Sequence, residues 1–191
     1  LHPEKPFLLS AGETRSYQQT QILSHQIANA FAKSGIAPGI ICAVYAGNSI
    51  RAFECVIGLL RAGCVWAPVN PRGTIDDSIY AFNNTDTEVL FYSAELEDAV
   101  QKIAPHCSRL KHLICVEESQ AGAPSLDDFI RGMPEKSKDV PRSELDVATL
   151  MSSGGTTGAP KGVTMPNIAW ATMVAATLEL QPCENPVHLI A

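Results

Sequence analysis

The chain has 191 residues and a net charge of −6, enough for one sizeable domain or for part of a larger one. Hydrophobic residues make up 46% and charged residues 18%, which excludes a disordered chain, since so much apolar surface must be buried. The 14 Lys and Arg are scattered without a basic stripe, which excludes the clustered cations that hold a nucleic-acid backbone.

The opening Leu1-His2-Pro3-Glu4-Lys5-Pro6 lacks a basic start followed by an apolar core, so no signal peptide is read there. A first residue other than Met predicts a chain cut from a longer one. Ser16 with Gln19 forms a plausible capping box, and Leu23, Ile27, Ala30 and Phe31 fall on one helical face. Gly35 is placed to end that helix, because glycine accepts the left-handed backbone of a C-terminal cap. Residues 40–45 then read as a buried strand, a short apolar run between Gly39 and Gly47.

Asn48 or Ser49 caps a second helix carrying Phe53, Val56, Ile57 and Leu60, with Gly63 as its terminator. The stretch 56–69 is the best candidate for a membrane span, but Arg61 interrupts it and it falls short of the roughly 20 apolar residues required. Residues 65–69 are the next strand, ended by Pro68 and Pro71. Thr74 with Asp77 opens a third helix with Ile75, Ile79 and Phe82 inward. Residues 88–92 read as strand, 94–104 as helix and 112–116 as strand. Asp76-Asp77 and Asp127-Asp128 read as helix-start charges stabilised by the macrodipole.

Residues 122–142 are polar and hold Pro124, Pro134 and Pro141, so they predict a surface excursion with one helical turn around 126–130. Residues 149–152 predict a strand running into a glycine-rich segment. Residues 167–180 predict a helix introduced by Pro166, and 187–191 a new buried strand. Strands separated by single helices imply right-handed crossovers and an α/β fold, a mainly parallel sheet with helices on both faces. Ending one strand after a helix, with no polar tail, again predicts an excised piece: one truncated α/β subdomain over 1–191.

Six cysteines, Cys42, Cys55, Cys64, Cys107, Cys115 and Cys183, form no CxxC pair and mostly sit in apolar runs. They read as small core residues with reduced thiols in a cytoplasmic protein, not as a zinc site or disulfide framework. The histidines His2, His25, His106, His112 and His188 form no HxxxH or HExxH pair, so no metal site is predicted. No Ser–His–Asp or paired-carboxylate arrangement follows from spacing either.

The segment from Ser152 to Gly162 carries the chemistry. Its glycines let backbone N–H groups approach an anion without a Cβ in the way. Its hydroxyls donate further hydrogen bonds, and Lys161 adds a point charge suited to phosphate. A Walker A loop requires Lys followed at once by Ser or Thr, whereas Lys161 is preceded by Pro160 and followed by Gly162. A Rossmann GxGxxG fails too, because the glycines fall at 154, 155, 158 and 162. A ligand-free Gly/Ser/Thr turn remains the alternative on composition alone.

The run SGGTTGAPKGV (residues 153–163) closely resembles the signature loop of the adenylate-forming superfamily, usually written T-S-G-(S/T)-T-G-x-P-K-G. That superfamily comprises acyl-CoA synthetases, firefly luciferases and peptide-synthetase adenylation domains. The chain departs at Gly154, where serine is common, and at Ser153, where threonine is common. Ser16-Tyr17 resembles the family's early (T/S)-Y-x-x-L element, with Thr20 in place of leucine. GLLRAGCVWAPVNPR (residues 58–72) resembles its L-(K/R)-A-G-x-x-x-x-P-(L/V)-(N/D)-P element. Together these extend the resemblance over nearly the whole chain. The tail Asn70-Pro71-Arg72 tilts it toward acyl-CoA synthetases and away from peptide-synthetase domains, where aspartate is common.

The resemblance implies part of the large N-terminal domain of an enzyme that joins a carboxylic acid to the α-phosphate of ATP. Pyrophosphate leaves, and the acyl group passes to coenzyme A. It implies that Ser153, Gly154, Gly155, Thr156, Thr157, Gly158 and Lys161 hold the ATP phosphates, Lys161 supplying charge. The magnesium-holding residue, most of the acyl pocket and the catalytic lysine of a C-terminal domain are expected downstream. No catalytic residue is then expected within 1–191, which alone should be inactive. An aryl-acid or acid:carrier-protein adenylating enzyme is the alternative within enzymes. A non-catalytic binding or assembly module that retains the loop is the alternative outside them.

Overall fold

The structure, a computed structural model, describes residues 2–10, 12–152 and 162–180. A two-stranded antiparallel hairpin comes first, β1 (Pro6–Ser10) and β2 (Glu13–Ser16), with Leu8 opposite Arg15 and Ser10 opposite Glu13. Helix α1 (Tyr17–Lys33) follows directly. Its N-terminus is the expected capping box: the Gln19 amide donates to Ser16 Oγ, and the Ser16 amide donates to Gln19 Oε1. At its far end Gly35 has φ +72°. The amides of Gly35 and Ile36 reach back to the carbonyls of Ala32 and Phe31, a Schellman ending that needs the left-handed residue.

Beyond it run β3 (Ile41–Tyr45), α2 (Ile50–Arg61), β4 (Val65–Pro68), α3 (Ile75–Asn84) and β5 (Val89–Tyr92). The chain continues through α4 (Glu97–Ile103), β6 (His112–Cys115), α5 (Leu126–Ile130), β7 (Val147–Ser152), β8 (Gly162–Pro166) and α6 (Asn167–Leu180). Ser49, not Asn48, caps α2, accepting from the Ala52 amide at 3.1 Å. Thr74 and Asp77 cap each other's amides at the start of α3. Helix α6 has the predicted bounds.

The main sheet has six strands in the order β6-β5-β3-β4-β7-β8. Every neighbouring pair is parallel except β7–β8. Side chains along β3 and β5 alternate between two apolar layers. Cys42, Val44, Val89 and Phe91 face the layer containing α1 and α2, with Ile27, Phe31 and Leu59. Ala43, Tyr45, Leu90 and Tyr92 face Phe82 and Ile103, on the α3 and α4 side. Strands buried on both faces need such continuous apolar runs, so the mainly parallel α/β reading holds.

Two parts differ from the sequence-based expectation. The β1–β2 hairpin was not predicted; its strands are short and half-exposed, with weak alternation. Strand β8 was not predicted either, and as an antiparallel partner it forms the edge of the sheet. Between β6 and β7, α5 buries Leu126 and Ile130 in the α1–α2 core, while most of 131–146 is exposed or half-exposed. Among the described residues no helix is long and apolar enough to cross a membrane. The predicted strand at 187–191 lies outside the described residues.

Candidate functional site

Ser153, Gly154, Gly155, Thr156, Thr157, Gly158 and Lys161 all lie outside the described residues. What the structure defines is the frame that presents them. They join β7 to β8, whose register runs from Val147 opposite Pro166 to Ser152 opposite Gly162. Strand β7 lies parallel to β4, with Thr149 opposite Trp66. Strand β7 therefore ends, at Ser152, on the carboxyl edge of the parallel strands, the edge where open α/β sheets bind ligands.

Several contacts fix this frame. Arg142 donates from Nη1 to the Gly63 carbonyl (2.6 Å) and from Nη2 to the Val147 carbonyl (2.9 Å), and its Nε lies 3.3 Å from Asp146. One guanidinium thus ties the end of α2 to the start of β7. Two backbone amides anchor α6: Asn167 N donates to the Asp146 carbonyl and Ile168 N to the Glu144 carbonyl. Deeper in, Trp170 donates from Nε1 to Oγ1 of the fully buried Thr149 at 2.9 Å. Neither Arg142 nor the Trp170–Thr149 pair was singled out from sequence, since nothing local marks a residue as a cross-element tie.

The neighbouring carboxyl edge of β3 and β4 borders an open apolar cleft of about 360 Å³, walled by residues such as Leu9, Phe53, Val56, Trp66, Pro68 and Val69. The Asn70-Pro71-Arg72 tail forms a turn at its rim, with Asn70 Oδ1 accepting from the Arg72 amide (3.0 Å) and the Asn70 carbonyl from the Gly73 amide (3.3 Å).

Cys42, Cys55, Cys64, Cys107 and Cys115 are buried free thiols. Burial pushes the Cys55, Cys107 and Cys115 thiols up, which keeps them protonated and unreactive. Cys183 lies outside the described residues. No group of His, Cys, Asp and Glu that could hold a metal occurs among the described residues. His25 is a hydrogen-bonded structural residue, its Nδ1 accepting from the Ser137 amide at 3.1 Å.

The mixed α/β fold with its mainly parallel sheet matches the N-terminal domain of adenylate-forming enzyme structures. The chain belongs to the family described as AMP-binding enzyme, which matches residues 1–189. It is 27% identical over 170 residues to the 3-oxocholest-4-en-26-oate–CoA ligase of Rhodococcus rhodochrous, covering 85% of this chain and 30% of that protein. It is 32% identical over 165 residues to the fatty acid–[acyl-carrier-protein] ligase ScoC of Streptomyces coeruleorubidus, covering 85% of this chain and 30% of that protein. The fold superposes on the anthranilate CoA ligase AuaEII in complex with anthranoyl-AMP with a TM-score of 0.81 and 22% identity, over 86% of this chain and 32% of that one. The chain thus spans about a third of the length of the relatives it matches.

Proposed function

We propose that the protein carrying this chain activates a carboxylic acid with ATP and transfers the acyl group to coenzyme A. The substrate carboxylate oxygen attacks the α-phosphorus, the bond to the bridging oxygen of the β-phosphate breaks, and pyrophosphate leaves. The thiolate sulfur of coenzyme A then attacks the acyl carbonyl carbon and AMP leaves. Within this chain Thr156, Thr157 and the amides of Ser153, Gly154, Gly155 and Gly158 donate hydrogen bonds to the β- and γ-phosphates. The Lys161 ammonium offsets charge on the departing pyrophosphate. Magnesium would neutralise further phosphate charge, held by residues outside 1–191.

One observation carries the reading: family membership over residues 1–189 combined with a β7–β8 frame that presents this segment at the carboxyl edge of the sheet. The test is ATP–pyrophosphate exchange by the full-length protein across a panel of fatty and aryl acids. Lys161→Ala should slow exchange about 10²-fold or more, the scale of losing one preorganised charge stabiliser. Unchanged exchange would remove Lys161 from this role.

The similarity to a fatty acid–[acyl-carrier-protein] ligase supports a second acceptor, a carrier-protein thiol. Thioester formation measured with coenzyme A and with a phosphopantetheinylated carrier protein separates the two. Residues 1–191 alone are proposed to be inactive, since the chain spans only about 30% of the length of the ligases it matches. The buried reduced thiols support a cytoplasmic setting.

A further inference from the structure

We infer that Trp170, acting through Thr149, is a positioning residue for the phosphates of ATP; this rests on the proposed reading of residues 153–161 as the phosphate-holding segment. Thr149 is the position at which β7 is joined on both sides, opposite Trp66 of β4 and opposite Met165 of β8. Its side chain is fully buried, and its hydroxyl accepts from Trp170 Nε1 at 2.9 Å. Thr149 precedes the segment on one strand and Trp170 follows it on the next helix. The bond therefore closes a ring of chain made of β7, the segment, β8 and α6. It locks α6 onto the β7–β8 ladder, whose register pairs the two ends of the segment, Ser152 and Gly162.

Two features make this tie consequential. Strand β8 is an edge strand, paired only with β7 among the described residues, so its position depends on β7 and on the helix that follows it. Helix α6 is itself exposed over most of its length, with Leu178 65% and Leu180 82% exposed. Packing therefore does little to hold it to the sheet among the described residues, and the Trp170 hydrogen bond and its N-terminal backbone contacts remain. A buried strand position serving packing alone would suit valine as well as threonine. Here the hydroxyl is the buried acceptor for a donor-only indole, so Val would leave that N–H without its partner.

The experiment is steady-state ATP–pyrophosphate exchange by the full-length protein and its Thr149→Val, Thr149→Ser and Trp170→Phe variants. Thr149→Val and Trp170→Phe should each raise KM for ATP about tenfold, with KM for the acid held within about twofold, because a misplaced phosphate grip weakens one substrate selectively. Thr149→Ser, which keeps the hydroxyl, should restore the unaltered value. An equal rise in both KM values, an equal defect in Thr149→Ser, or an unchanged KM for ATP overturns the inference while the functional reading stands. No exchange by the unaltered protein with any acid overturns both. If Thr149→Val does not fold, Trp170→Phe decides by the same comparison.

Discussion

Glu54 of α2 lies with its Oε1 3.8 Å from Arg15 Nε and 3.3 Å from the Thr20 hydroxyl, and its side chain is only 1% exposed. Its other oxygen is buried with no hydrogen-bond partner among the described residues. Desolvation raises the Glu54 carboxyl above its ordinary value, outweighing the opposing pull of Arg15 and Thr20. Between the ordinary and the raised value the folded state binds more protons than the unfolded, so this group loses stability as pH rises through that window.

Glu54→Gln should therefore stabilise the protein at pH 7 and be neutral near pH 4, where Glu54 is already protonated. A gain of about 1 kcal/mol corresponds to roughly 2–4 °C in Tm for a chain of this size. Thermal denaturation at the two pH values checks this. A Glu54→Gln protein that melts lower at pH 7 would show that the Arg15 pairing outweighs the burial cost.

His25 runs the other way. Desolvation, followed by the Arg61 charge, lowers its pKa, with Asp139 opposing and Lys136 assisting. The neutral ring is the one whose Nδ1 accepts from the Ser137 amide. Its stabilisation is complete above the ordinary value of 6.5 and declines as pH falls from there to the lowered folded value. Urea midpoints measured across that interval should fall with pH in the unaltered protein. In His25→Gln the same interval should be flat.

At Gly58 α2 packs tightly against α1: a Cβ there would lie 2.7 Å from Ile27 Cβ and 2.5 Å from Ile27 Cδ1. Rotating the Ile27 side chain moves its Cδ1 but not its Cβ, so the helices themselves must part. Gly58→Ala should cost about 1–3 kcal/mol by overpacking, against the roughly 1 kcal/mol that Ala gains over Gly in a helix, a net loss of up to about 2 kcal/mol. The double variant Gly58→Ala with Ile27→Ala should lose less than the two single losses added together, a coupling that denaturant titration of all four forms would reveal.

Arg142 bridges the carbonyls of Gly63 and Val147 with two nitrogens of one planar group. Arg142→Ala should cost on the order of 1–3 kcal/mol, since charged donors to backbone acceptors are lost. Arg142→Lys should recover only part, because a single ammonium lacks the fork. Hydrogen exchange over 147–152 should speed up in both variants, and more in the alanine variant.

Local chemistry was legible in the residues themselves. Ser16 with Gln19 and Thr74 with Asp77 specify their helix starts because both partners sit within one turn. Gly35 and Gly63 end α1 and α2 because the left-handed residue is a local need. The continuous apolar runs at β3 and β5 reveal burial on both faces, and hence a parallel sheet, before any partner is known. The Ser153–Lys161 segment likewise carries its resemblance to the adenylate-forming signature in its own residues.

What only the tertiary structure decided is which distant residues meet. The short, partly exposed strands β1, β2 and β8 bury too little to show a period of two, and exist because a partner strand lies alongside. The strand order that puts β7 beside β4, the Arg142 bridge and the Trp170–Thr149 bond depend on crossovers between segments far apart in the chain. Hydrogen bonds are directional and short-ranged, so a sequence shows that Trp170 can donate and Thr149 can accept, while only the packed sheet and helix bring them to 2.9 Å.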